Sequence, residues 1–182
     1  GFPTADADAF ERLAELVAYG RADGRNVDVW VWKSFFDLLL PEARDAFLDA
    51  VAAAGAVGVK VDIVAAGESD SRLSLQVKEA ILRAAAERRL MVNFHGVPKA
   101  TGTARTWPNE VTREGAMGLE LNGLLWDRGF GVSARHNAAL PFTRLLSGPF
   151  DYTPLTFDAR KIGRTTFGHQ LATFATFTSP LQ

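Results

Sequence analysis

The chain has 182 residues, 47% of them hydrophobic and 23% charged, which supplies a sizeable core for one domain or part of one. Its 20 basic and 21 acidic residues leave a net charge of -1 with no basic run, so nothing favours nucleic acid or an anionic membrane, and a neutral partner is expected. The absence of cysteine excludes disulfides and thiolate metal sites, and no apolar run reaches the length of a membrane-spanning helix.

In chain order, Phe10, Leu13, Leu16 and Val17 stand at helical spacing, and Gly20 with Asp23-Gly24 marks a stop. Val27 to Trp32 alternates as a strand. Pro41 near the start of Glu42 to Ala54, with Phe47, Leu48 and Val51 on one stripe, predicts a second helix ended by Gly55. Val57 to Asp62 predicts a strand. Ser71 to Arg88 predicts a helix with Leu75, Ile81 and Leu82 inward, and Leu90 to His95 a further strand. Successive strand, helix, strand units imply parallel strands with right-handed crossovers, hence an α/β layer or barrel. Beyond them come a long Gly, Pro, Thr and Arg loop, a helix-like stretch from Thr112 to Asn122 and an apolar Leu140 to Leu146 that suits a helix start. Gly148 to Pro154 resembles a strand end aiming Asp151 at a mouth, and Ile162 to Thr178 is expected as the last helix. The chain starts without Met and stops at TSPLQ, so it is expected to be a piece of something longer.

Two strands end on chemistry-bearing residues, as barrel strands do at their C-terminal mouth. Val57-Gly58-Val59-Lys60-Val61-Asp62 delivers Lys60 and Asp62 to one side of a strand, and Leu90-Met91-Val92-Asn93-Phe94-His95 delivers Asn93 and His95. The following loop carries Glu110, Glu114 and Glu120. Asp62 and Glu120 are the carboxylate pair that two strand ends could set on either side of a bond, one attacking or activating water and the other protonating the leaving group. Asp62 could equally cap the next helix. Glu114 and Glu120 suit a hard cation such as calcium, or are solvated surface groups. His95 could contact ligand hydroxyls or be a satisfied core histidine, and His136 and His169 say less. Trp30, Trp32, Trp107 and Trp126 could stack on sugars or pack the core, and Asp37 and Glu68 read as exposed.

The segments GVKVD, MVNFHGVPKATGTARTWPNEVTREGAMGLE, LPFTRLLSGPFDYTP and GHQLATFATFTSPLQ together resemble the catalytic domain of glycoside hydrolase family 97, in order and spacing, over nearly all of residues 50 to 182. The resemblance implies a (β/α)8 TIM barrel acting on α-glucosides or α-galactosides, of which this chain would be roughly strands 3 to 7 with their helices, all within one catalytic domain. It implies N- and C-terminal β domains in the parent, absent here, so that the piece alone would be inactive. It also implies an oligosaccharide or α-glycoside substrate and a periplasmic or extracellular bacterial setting.

Family members of the inverting α-glucosidase type carry a glutamate directly after the strand-end histidine, whereas the retaining α-galactosidase type carries an aspartate at the end of the VKxD strand. Gly96 follows His95 here and Asp62 ends VKVD. The chain therefore resembles the retaining type, with Asp62 matching the nucleophile and Glu120 the acid/base. Glu114 matches a calcium ligand of the family, with Glu120 close to the same ion, and Lys60, Asn93, His95 and Asp151 are the expected substrate contacts. The segment IVAAGESDSR after Asp62 departs from the family's aromatic and acidic residues, which supports a different reading, a non-catalytic sugar-binding barrel.

Overall fold

The computed structural model describes residues 6–63, 71–124, 131–153, 156 and 158–181. Glu68, Trp126, Pro154 and most of the divergent segment after Asp62 lie outside them. The chain divides into two compact units, Gly1–Val97 with Thr103–Val111, and Pro98–Gly102 with Thr112–Gln182.

In the first unit, helix α1 (Ala7–Arg21) starts where the Asp6 carboxylate accepts the Ala9 N–H, and buries Ala9, Leu13 and Val17. Strand β1 (Trp30–Ser34) leads to helix α2 (Pro41–Ala53), where Pro41 stands in the first turn and Phe47, Leu48 and Val51 are fully buried. Strand β2 (Gly58–Asp62) follows, then helix α3 (Arg72–Glu87), begun by the Ser71 hydroxyl accepting the Ser74 N–H, then strand β3 (Met91–Phe94). β1 pairs with β2 and β2 with β3, both parallel, with Trp32 beside Lys60 and Lys60 beside Asn93. The expected α/β architecture is what forms. Val31, Val59, Val61, Val92 and Phe94 join Leu13, Phe47, Leu48, Val51, Ile81 and Leu82 in one core on the helix side of the sheet.

A fourth strand, β4 (Glu110–Arg113), completes the sheet order β1-β2-β3-β4. It lies where the sequence suggests loop and helix. Glu110-Val111-Thr112-Arg113 holds two adjacent β-branched residues, which favour extended backbone, and Gly115 and Gly118 interrupt any helix beyond it. Asn109 sets the entry to β4: its carbonyl accepts the Val92 N–H at 2.7 Å and its amide donates to Leu82 O at 2.9 Å and Leu90 O at 3.3 Å. One other expectation fails in the first unit: Leu75 is exposed, because the buried stripe of α3 begins at Ser74 and continues through Val77, Lys78, Ile81 and Leu82.

The second unit contains the short helices α4 (Leu121–Leu124) and α5 (Ala134–Ala139), 3-10 turns at Leu140–Phe142 and Arg144–Ser147, and α6 (Phe167–Thr176). The Leu140 to Leu146 stretch is thus two tight turns rather than a helix. Residues 148–153 form no strand: Pro149 has no N–H to give a ladder, and the stretch makes scattered bonds instead, the Asp151 N–H to Arg113 O at 3.2 Å, the Phe150 N–H to Thr178 O at 3.4 Å and the Leu119 N–H to Tyr152 O at 3.1 Å. The last helix starts later than its composition suggests, at the point where the Thr166 hydroxyl accepts the His169 N–H. Phe150, Tyr152 and Phe177 meet edge-on or tilted, with centroids 4.7 to 5.7 Å apart, and form the apolar centre with Leu119, Val132 and Leu140.

The inward face of α3 can be tested directly. Ile81→Ala is expected to cost about 2–5 kcal/mol, the usual range for an emptied core position. Leu75→Ala should stay within about 0.5 kcal/mol, as exposed changes do. Urea unfolding followed by circular dichroism reads both, and equal losses would contradict the orientation of the helix.

Candidate active site

Alternation along three parallel strands decides which side chains share a surface. Val31, Val59, Val61, Val92 and Phe94 belong to the helix-side core, so Trp30, Trp32, Ser34, Lys60, Asp62, Asn93 and His95 project from the opposite face. The pairing continues one step past β3, where the His95 N–H donates to Val61 O at 2.9 Å. Lys60, Asp62, Asn93 and His95 are therefore gathered on one sheet face. Asn93 and His95 are fully buried, while Lys60 and Asp62 are half-buried.

The Asp62 carboxylate is held at both oxygens. Trp32 Nε1 donates to Oδ2 at 3.2 Å, and the Ile63 N–H donates to Oδ1 at 2.6 Å. Trp107, by contrast, packs against the helix-side core under the Arg83 guanidinium, 5.7 Å from its ring centre. Lys33, which carries no signal in the sequence, is buried on the helix side and reaches out over the Phe47 ring to Asp37 at 3.0 Å. Asp37 itself is exposed, as expected.

In the second unit, Glu114 and Glu120 bring carboxylate oxygens within 4.8 Å of each other, both half-buried. The chain can fold back between them because Gly118 lacks a side chain: a Cβ there would stand 2.6 Å from Tyr152 O. Two like charges this close favour a cation between them, and carboxylate oxygens are what calcium takes. The pair fits that ion as part of a larger oxygen set.

Arg144 holds this region from beneath. Its guanidinium is buried and donates to four backbone carbonyls, those of Arg113 (3.2 Å), Glu114 (3.1 Å), Gly148 (2.9 Å) and Pro149 (3.3 Å). Burial, with Arg113 nearby, pushes its pKa down to about 10, so it stays a cation at neutral pH. Asp151, expected at a strand mouth, is buried beside this anchor, and its Oδ1 accepts the Thr153 N–H at 3.4 Å. A further polar group, invisible to spacing, joins Tyr152, whose hydroxyl donates to Asn137 Oδ1, with His169, whose Nε2 lies 2.8 Å from Asn137 Nδ2. Burial raises the Tyr152 pKa to about 12, so its phenol stays a donor at neutral pH. His136 Nε2 lies 2.9 Å from Met117 O.

Arg144→Lys should fail to substitute, since one ammonium cannot serve carbonyls spread over two segments as a planar fork does. Leaving buried carbonyls unpaired costs about 1–3 kcal/mol each. The expected outcome is a lower melting temperature and faster proteolytic cleavage near residues 113–115 and 148–149. An unchanged cleavage pattern would remove Arg144 from this role.

The comparisons with known proteins agree with the α/β fold described above. A family model described as Glycoside hydrolase 97 matches residues 3–116. The chain is 37% identical over 145 residues, 80% of its length, to a protein of Streptomyces bingchenggensis named a probable retaining alpha-galactosidase. It is 29% identical over 141 residues to the retaining alpha-galactosidase of Bacteroides thetaiotaomicron, and spans about a fifth of the length of either relative. Its fold superposes with a TM-score of 0.79 and 27% identity on a Glycoside Hydrolase Family 97 enzyme from Pseudoalteromonas sp. strain K8, solved in complex with acarbose, covering 93% of this chain and 29% of that one. The parallel sheet and its helices are accordingly part of a TIM barrel, and the chain belongs to glycoside hydrolase family 97.

Proposed function

We propose that this chain supplies the reacting carboxylates of a retaining α-galactosidase, with Asp62 as nucleophile and Glu120 as general acid and base. The observation that carries the reading is the Asp62 carboxylate, ionisable, half-buried and oriented at the end of β2 on the same face as Lys60. Gly96 after His95 offers no side chain that could activate water there. The names of the Streptomyces and Bacteroides relatives point the same way.

In the first step an Asp62 oxygen attacks the anomeric carbon, the glycosidic C–O bond breaks, and its oxygen leaves with a proton from Glu120. In the second, Glu120, now a carboxylate, takes a proton from water while the water oxygen attacks the same carbon and frees Asp62. Two inversions return the α configuration. Lys60, Asn93, His95 and Asp151 are the proposed sugar contacts. Calcium, held through Glu114 and Glu120 with further oxygens, would supply positive charge where the substrate is bound. A second reading, an α-glucoside substrate, is favoured by the Pseudoalteromonas enzyme, a variant of which was solved with panose.

In a full-length protein carrying this sequence, Asp62→Ala should abolish turnover of an aryl α-galactoside, and azide should restore part of it as a glycosyl azide of inverted configuration. Proton NMR of the first sugar released by the unaltered protein should show the α anomer. A β anomer appearing first would overturn the retaining assignment, and no turnover of any α-glycoside would favour a non-catalytic sugar-binding barrel.

Glu120→Ala should slow substrates with poor leaving groups by roughly 10²- to 10⁴-fold, the size of general acid assistance. Substrates with good leaving groups need no proton at the first step. Equal slowing of both kinds would take the acid role away from Glu120.

A further inference from the structure

Asp62 stands at the end of a strand, and a carboxylate there turns about a broad, roughly two-fold torsion unless something holds it. Two donors do so, one on each oxygen: the indole N–H of Trp32 on β1 and the backbone N–H of Ile63. Neither is a formal charge. An ionised partner would hold the carboxylate more tightly but would also neutralise the electron density that attacks carbon, whereas an indole is a donor only and carries no net charge. The Trp32 side chain reaches Asp62 diagonally, because the residue directly beside Asp62 in register is Ser34.

The backbone carries a second, independent sign. Ile63 has φ of 57°, the left-handed region that a β-branched residue rarely enters. Such strain persists only where surrounding structure fixes it, and here it accompanies the bond from the Ile63 N–H to the preceding carboxylate.

We infer that Trp32 is a positioning residue for the reaction, its indole N–H holding the Asp62 carboxylate in the orientation from which an oxygen meets the anomeric carbon. This rests on the nucleophile reading of Asp62. It assigns the tryptophan a role distinct from stacking on sugar or filling the core.

The test is a double-mutant cycle in a full-length protein carrying this sequence, assayed with an aryl α-galactoside. Trp32→Phe keeps a ring and deletes the donor. It should lower kcat roughly 10- to 100-fold, the rate equivalent of one hydrogen bond to a charged group, with KM little changed. Trp32→His, which keeps a ring N–H, should recover part of the loss. In the Asp62→Ala background rescued by azide, Trp32→Phe should have no further effect, because no carboxylate remains to be held.

An unchanged kcat in Trp32→Phe would overturn the inference while leaving the nucleophile reading intact. The same fold-loss in the azide-rescued background would overturn it too, since Trp32 would then act on the substrate or the fold. Equal losses in the Phe and His variants, at equal melting temperatures, would do likewise. Failure of azide to rescue Asp62→Ala is a different result: it removes the nucleophile, and this inference with it.

Discussion

Everything on the first unit's working face depends on register. β1, β2 and β3 are short and parallel, and the positions turned to the helices hold Val31, Val59, Val61, Val92 and Phe94, with Lys33 the one charged side chain among them. With a side-chain period of two, a slip of one residue would exchange Val59 and Val61 for Lys60 and Asp62 in the core. Lys33 is tolerated on the helix side because it reaches out to Asp37 at 3.0 Å, whereas burying both Lys60 and Asp62 there while exposing two valines would be strongly unfavourable, so the hydrophobic pattern favours this register. The polar face is thus a by-product of the apolar one: once the valines are buried, Lys60, Asp62, Asn93 and His95 have only one side left to occupy.

The second unit is built on different physics. It has a small aromatic centre, and much of its order comes from side chains that satisfy backbone groups over long sequence separations. Arg144 gathers four carbonyls from two segments, and Asn122 accepts the Val132 N–H at 2.7 Å while donating to Lys161 O at 3.0 Å. In such a region one buried cation does what a row of valines does elsewhere, and the pKa of about 10 shows the desolvation that accompanies it. The Glu114 carbonyl is one of those four, so the carboxylates of this loop rest on the same anchor.

These two modes explain how far the sequence could be read. β2, β3, α2 and α3 are visible because periods of 2 and 3.6 record burial directly, and Asp62 and His95 are visible because they interrupt an apolar run at its end. Leu75 misleads because periodicity gives a stripe but not its edge. β4 is hidden because its pairing is triggered by Asn109, whose partners Leu82 and Leu90 stand far back in the chain. Lys33, the bond from Trp32 to Asp62 and the Tyr152, Asn137, His169 group share that obstacle: each is a polar contact made across elements, and spacing contains no term for it. Position at a strand end and in the loop beyond suggests Asp62 and Glu120 as a carboxylate pair, the finer roles proposed for them and for Glu114 rest on resemblance to a family, and the geometry adds how Asp62 is held and that the two glutamates are close.

Gly96 has a φ of 64°, in the region where a side chain costs an L-residue about 1–2 kcal/mol. A side chain at position 96, which the resemblance implies for the inverting type, would meet that cost in this backbone. A glutamate introduced at position 96 would bring both a strained turn and an added negative charge to the end of β3. The conformation of this one residue thus opposes, by itself, the gain of a carboxylate at the histidine corner.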